Sequence, residues 1–94
     1  MTSRSSVGLD ERRRRLLFRS WHRGIREVDL VLGRFADATL AGMSDAELDD
    51  YEAVLEAPTP DLMAWVMGEV PLPQGRTTPL LRRMIDFHLN APRE

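Results

Sequence analysis

The sequence predicts an all-α protein, a compact bundle of five short helices. In five successive segments apolar residues recur at spacings of three and four, the spacing of one helix face. Prolines and glycines separate these segments, and no stretch alternates polar and apolar residues as a half-buried strand does. A chain of 94 residues, 43% of them hydrophobic, is suited to one domain around one apolar core.

The first helix is predicted over residues 9–21. Asp10 and Glu11 precede the four arginines 12–15, and acidic residues before basic ones match the dipole of a helix. Its apolar stripe consists of Leu9, Leu16, Leu17 and Trp21. Residues 1–8 are rich in serine and are expected to form a disordered tail.

The second helix is predicted over residues 25–40 and has the strongest periodicity in the chain. Its apolar face consists of Ile25, Val28, Leu32, Phe35 and Thr39, with Val31 beside it. Gly33 interrupts this helix at a cost of about 1 kcal/mol relative to alanine. We therefore expect Gly33 to allow tight packing against a neighbouring helix.

The third helix is predicted over residues 44–57. Ser44 with Glu47 three residues later forms a capping box, and Met43 with Leu48 can form a hydrophobic staple. Its buried face is predicted to be Leu48, Tyr51 and Leu55, with Val54 beside it. Its exposed face carries Asp45, Asp49, Asp50, Glu52 and Glu56.

Two further helices follow. Thr59 is predicted to cap the fourth, with Pro60 at its first position and Gly68 at its end. Its inward residues are predicted to be Leu62, Trp65 and Val66. The fifth runs from Thr78 to about Asn90, and residues 91–94 are expected to fray. Its core face is predicted to be Leu81, Met84, Ile85 and Leu89.

Charge is segregated along the chain. Residues 1–34 hold nine arginines against four acidic residues, residues 35–75 hold nine acidic residues and no arginine, and residues 76–94 hold four arginines against two acidic residues. A chain with this pattern can fold with its basic and acidic segments attracting each other. Equally, it can present a basic face, built from arginines of the first helix, to an outside partner.

Composition excludes several classes of chemistry. The chain has no cysteine and only two, distant histidines, so neither a disulfide nor a thiolate or histidine-rich metal site is predicted. His22 and His88 are interpreted as surface or capping residues, and no set of residues suggests catalysis. No run of about 18 apolar residues and no signal peptide is present, so a cytoplasmic protein without membrane spans is expected.

The stretch Arg23-Gly24-Ile25-Arg26-Glu27 stands out because it violates local preferences. Cations at the start of a helix oppose its dipole, and Arg23 before Glu27 is the weaker order for an ion pair four residues apart. Gly24 leaves the backbone open to close approach. We interpret the stretch as a polar docking surface. The alternative is an ordinary helix start with a routine ion pair.

Four motifs in order resemble one family. They are Arg23-Gly24-x-x-Glu27 followed by Asp29, Leu32-x-x-Phe35, Ser44-x-x-Glu47, and the segment 60–68 with sequence Pro-Asp-Leu-Met-Ala-Trp-Val-Met-Gly. Together, at these spacings across residues 11–90, the motifs resemble the succinate dehydrogenase assembly factor 2 family. That family comprises the flavinylation factors of bacteria and mitochondria.

The resemblance implies a five-helix assembly factor that binds the flavoprotein subunit of succinate dehydrogenase, in some bacteria that of fumarate reductase. The factor would promote covalent attachment of FAD to a histidine of that subunit. It would have no cofactor of its own, would not be an enzyme, and is expected to be a monomer in the bacterial cytoplasm. The resemblance assigns partner binding to Arg23, Gly24 and Glu27, and we add His22, Arg26 and Asp29. Many members have arginine where this chain has His22.

Two alternatives come from other classes. An arginine-rich module that binds nucleic acid would use Arg12–Arg15, Arg19, Arg23 and Arg26. The net charge of −2, the acidic middle segment and the lack of a recognisable DNA- or RNA-binding motif argue against it. A general adaptor for helical partners, without a flavoprotein, is the other alternative.

Overall fold

The computed structural model describes residues 9–90, and in this range all regular structure is helical. The five α-helices are α1 (Glu11–Trp21), α2 (Arg26–Thr39), α3 (Asp45–Glu56), α4 (Thr59–Val66) and α5 (Thr78–Asn90). A 3₁₀ turn, Leu40–Gly42, follows α2 directly. The predicted all-α class and the five helices are confirmed, and each helix begins and ends within two residues of its predicted bounds. The predicted tail 1–8 and the frayed end 91–94 lie outside the described residues.

Helix α2 occupies the centre of the bundle and packs against α1, α4 and α5. Its buried face meets Tyr51 of α3, whose side chain is completely enclosed. The buried apolar side chains common to prediction and structure are Leu9, Leu16, Leu17, Val28, Val31, Leu32, Phe35, Leu48, Tyr51, Val54, Leu55, Leu62, Leu81 and Met84. The core therefore follows the helical periodicity of the sequence almost throughout.

Helix ends are fixed by local side chains and by glycine. Ser44 and Glu47 form the predicted capping box, with the Glu47 N–H donating to Ser44 Oγ and the Ser44 N–H donating to Glu47 Oε1. Gly68 ends α4 with a positive φ of 75°. The Glu69 N–H then donates to the Ala64 carbonyl and the Gly68 N–H to the Trp65 carbonyl, the two bonds of a Schellman motif.

Predictions about four residues are wrong. Thr59 is the first residue of α4 rather than its cap, so Pro60 takes the second position instead of the first. The Thr59 hydroxyl accepts a hydrogen bond from Arg23. Ile25 is 42% exposed because it precedes α2 in extended backbone and is off the helical period. Leu89 is 62% exposed because the buried face of α5 is centred on Met84, from which Leu89 is turned by about 140°.

Gly33 receives the ring of Trp21. A Cβ at position 33 would lie 2.3 Å from Cδ2 and Cε2 of the indole, far inside any real contact. The prediction that this glycine permits close packing is confirmed, and the partner is the last residue of α1. This contact locks the end of α1 against the middle of α2.

The segregated charges pair within the fold. Arg12 on α1 contacts Asp49 at 2.7 Å and Glu52 at 3.1 Å on α3, and Arg19 contacts Glu56 at 3.2 Å. On the other side of α3, Asp50 pairs with Arg76 and Glu47 with Arg83. Of the two possibilities left open by the charge pattern, attraction between basic and acidic segments is therefore realised. The acidic helix α3 lies between two basic segments.

Candidate functional site

The candidate site is the junction of residues 22–25 between α1 and α2, together with the first turn of α2. Trp21 ends α1, and the His22 N–H closes that helix by donating to the Arg19 carbonyl. Gly24 then takes a φ of 102°, a backbone conformation that glycine adopts without strain. The Arg23 N–H donates to Asp29 Oδ1 at 2.8 Å. Asp29 thus fastens the junction to the helix that follows it.

Arg23 points inward from this junction. Its guanidinium donates to the carbonyls of Leu55 and Ala57 at the end of α3, and its Nε donates to Thr59 Oγ1 at 3.0 Å. The last carbonyls of a helix lack internal partners and carry the negative end of its dipole. Arg23 therefore caps α3 and joins it to α4 and to the junction. The Arg23–Glu27 ion pair of the alternative interpretation, an ordinary helix start, is not formed, because the guanidinium is engaged here.

Gly24, Arg26 and Glu27 form the exposed part of the site, which we call the junction patch. All three residues are exposed, and a Cβ on Gly24 would meet no atom within 4 Å. Among residues 9–90, neither Arg26 nor Glu27 has a hydrogen bond or ion pair to its side chain. A cation and a carboxylate therefore lie next to exposed backbone, and neither is bonded to another described residue.

His22 and Asp29 lie on either side of the junction patch and are already engaged. The His22 ring stacks on Phe18 with centroids 3.9 Å apart, and its Nδ1 donates to the Phe18 carbonyl at 2.7 Å. Phe18 itself is 63% exposed. The stacked pair gives the patch an apolar border on the α1 side. Asp29, by contrast, holds the backbone of the junction in place by accepting the hydrogen bond from the Arg23 N–H.

A groove opens on the other side of the junction patch, between α2, α4 and α5. It has a volume of about 300 Å³, and both Glu27 and Arg34 line it. Met63 and Val66 of α4, together with Met67 directly after it, form one wall. The predictions did not include this groove. Met63 and Met67, four residues apart and therefore on one face of a helix, were the available signal.

Neither a metal site nor a membrane-spanning helix is found among the described residues. No group of three or more acidic or histidine side chains between residues 9 and 90 could hold a metal ion. No helix in the same range is both long and apolar enough to cross a membrane. The site offers exposed charge of both signs, open backbone and adjoining apolar surface.

Comparison with known proteins assigns the chain to a family. The family described as flavinator of succinate dehydrogenase matches residues 14–88, a range that contains the whole junction patch. The chain belongs to this family. The resemblance inferred from the four sequence motifs is thereby confirmed.

Relatives in this family come from bacteria and from mitochondria. The FAD assembly factor SdhE of Acetobacter pasteurianus is 46% identical over 88 residues, covering 90% of this chain and 81% of that protein. The mitochondrial succinate dehydrogenase assembly factor 2 of Dictyostelium discoideum is 32% identical, over 89% of this chain and 60% of that protein. Its counterpart in Debaryomyces hansenii is 44% identical, over 66% of this chain and 44% of that protein. No solved structure matches the chain.

Proposed function

We propose that this protein is an assembly factor that binds the flavoprotein subunit of succinate dehydrogenase and promotes covalent attachment of FAD to it. The observation that carries the proposal is the junction patch, in which Arg26 and Glu27 are exposed and lack partners within residues 9–90. The family membership and the names of its relatives support the choice of partner. The proposed setting is the bacterial cytoplasm, with one copy bound to one flavoprotein subunit.

In this proposal the protein acts by positioning and is not itself an enzyme. The reactive histidine and the flavin would both belong to the flavoprotein. Binding of the junction patch would hold that subunit in the arrangement in which its histidine and flavin meet. Fixing two reacting groups in the correct orientation can supply a large part of a rate enhancement. The protein would need no cofactor of its own.

Glu27→Gln is the most direct test of this function. The exchange keeps the size of the side chain and removes its charge, and no contact within residues 9–90 depends on that charge. With flavoprotein and factor co-expressed, we expect covalent flavin on the flavoprotein to fall at least ~10-fold, the equivalent of one ~1.4 kcal/mol interaction. The measurement is flavin fluorescence of the flavoprotein band after denaturing electrophoresis.

Matched controls distinguish loss of docking from loss of folding. Asp86→Asn removes an exposed carboxylate, and Arg82→Gln an exposed cation, both on α5 and both without a side-chain partner in the described range. We expect both to support normal flavin attachment, whereas Arg26→Gln should impair it. Normal attachment with both Glu27→Gln and Arg26→Gln would reject the junction patch as the site. The fumarate reductase flavoprotein, assayed in parallel, tests the second partner.

A nucleic-acid partner receives little support from the fold. The arginines of α1 that would form the basic face are engaged by Asp49, Glu52 and Glu56 of α3 and by local acceptors. Freeing them for phosphate would require breaking these ion pairs. Binding to DNA or RNA with a steep dependence on salt concentration would contradict this conclusion.

A further inference from the structure

The groove between α2, α4 and α5 is a feature of the described surface that the junction patch does not account for. Its volume of about 300 Å³ equals roughly ten water molecules and falls at the lower limit of ligand pockets. The floor consists of buried side chains of α2 and α5, including Val31 and Met84. Met67, at the end of α4, lies 63% exposed along one wall.

Methionine shapes this groove. Met63, Met67 and Met84, three of the five methionines in the chain, all line it. Unbranched, polarisable thioether side chains adapt to the shape of an incoming apolar group and are frequent on surfaces that bind other polypeptides. An aromatic cage or a cluster of cations, which a small planar or phosphorylated ligand would need, is not present among the lining residues.

Charges of opposite sign mark the two ends of the groove along α2. Glu27 and Arg34 both line it and are seven residues apart, which places them about 10 Å apart along the helix axis. At that separation they cannot form an ion pair with each other. Within residues 9–90 neither has another charged partner. A complementary occupant would carry a basic group at one end, an acidic group at the other and apolar side chains between.

We propose that the groove receives an apolar segment of the flavoprotein subunit, flanked by a basic residue that meets Glu27 and an acidic residue that meets Arg34. The inference rests on the proposed function and extends its contact surface. Glu27 belongs to both the junction patch and the groove, so a polypeptide seated on the patch continues directly into the groove. The patch then supplies polar contacts, and the methionine-lined groove supplies the apolar anchor of the same interface.

Met67→Gln and Arg34→Glu test this inference, with Leu89→Gln as the matched control. Met67 is 63% and Leu89 62% exposed, but only Met67 lines the groove. The measurement is the Kd between the full chain and the purified flavoprotein subunit, alongside a denaturant unfolding curve for each variant. We expect about tenfold weaker binding for Met67→Gln and for Arg34→Glu, the scale of one interface anchor. Leu89→Gln should bind as tightly as the unmodified chain.

Each outcome decides between the two proposals. If Met67→Gln and Arg34→Glu bind normally while Glu27→Gln binds weakly, the groove is not part of the interface and the proposed function stands. If the unmodified chain does not bind the flavoprotein, both proposals fail. Displacement of the flavoprotein by free FAD, lost in Met67→Gln, would identify the occupant as the flavin and overturn the inference. Self-association of the chain, abolished by Met67→Gln, would overturn it in favour of a second copy.

Discussion

The arginines of α1 and the charged residues at the start of α2 have opposite roles. Each described arginine of α1 donates to a carboxylate or a carbonyl of the same chain, and the pairs across α1 and α3 join segments nearly forty residues apart. Arg26 and Glu27 are equally polar but have no side-chain partner in the described range. The comparison teaches that charge density does not locate the candidate site. Charges of both signs without a partner in the described range, next to the open backbone of Gly24, distinguish it.

Arg23 lies between these two regions and combines their properties. It belongs to the motif that predicts docking, yet its guanidinium holds the end of α3 as the arginines of α1 hold its acidic face. Its direct contact with a partner stays a prediction. Its internal contacts give it a second role, that of keeping Gly24, Arg26 and Glu27 in the correct relative positions.

Arg23→Lys should have the largest effect on stability among the charge substitutions. Lysine keeps the charge but cannot reach two carbonyls and a hydroxyl with one planar group. We expect the free energy of unfolding to fall by about 2 kcal/mol, the scale of hydrogen bonds that involve a charged group. Chemical denaturation checks this value. An unfolding free energy within the experimental error of the original chain would mean that Arg23 resembles Arg26 rather than the arginines of α1.

Gly24→Ala should have the next largest effect. There is space for the methyl group, but the φ of 102° disfavours any residue with a Cβ, so we expect a loss of about 1–2 kcal/mol. Thermal unfolding measures the cost. Gly42→Ala is the control, because position 42 is equally open and has no positive φ.

Arg19→Gln and Arg26→Gln compare the two regions directly. Arg19 loses an exposed ion pair with Glu56, worth about 0.2–1 kcal/mol in stability, whereas Arg26 loses no internal contact. We expect Arg26→Gln to alter stability by less than about 0.5 kcal/mol and yet to impair flavoprotein binding. Arg19→Gln should lower the free energy of unfolding and leave flavoprotein binding unchanged. A double-mutant cycle of Arg19 with Glu56 measures the coupling energy of this ion pair. A coupling energy of zero would show that the pair does not stabilise the fold.

Glu47 gives the smallest expected effect, a dependence on pH. The Ser44 N–H and then Arg83 lower the pKa of Glu47 below its ordinary value of 4.5. A carboxyl whose pKa is lowered by folding stabilises the folded state above the unfolded pKa and loses this contribution as pH falls through the folded pKa. Glu47→Gln should therefore be less stable than the original chain at neutral pH, with the difference shrinking below about pH 4.5. Denaturation midpoints across pH measure this, and Glu69→Gln, which removes an exposed carboxylate without an internal partner, should show no such change.

Sequence periodicity predicted most of the fold because core formation here depends on local spacing. The capping box at Ser44, the end of α4 at Gly68 and the close contact at Gly33 follow from short-range rules. The wrong predictions involve long-range contacts or a shifted face. Threonine is a common N-cap residue, but the hydroxyl of Thr59 accepts a hydrogen bond from Arg23, 36 residues earlier in the chain.

The candidate site was predicted in part. Motif and chemistry pointed to Arg26 and Glu27, which are exposed, and the exposure of Gly24 agrees with the prediction of an open backbone. Partner binding by these residues stays a prediction. The inward course of Arg23 could not be predicted, because its acceptors at Leu55 and Ala57 are main-chain carbonyls available at any helix end. The groove required three helices to be placed relative to one another, and periodicity within each helix contains no such information.

The contact of Trp21 with Gly33 makes the α1–α2 junction observable by optical spectroscopy. The indole lies three residues before Gly24, and its Nε1–H is shielded from water without an acceptor in the described range. An indole in such surroundings emits at shorter wavelengths than a hydrated one. In a Trp65→Phe background Trp21 becomes the sole tryptophan, so its emission maximum would report movement at this corner without any added dye.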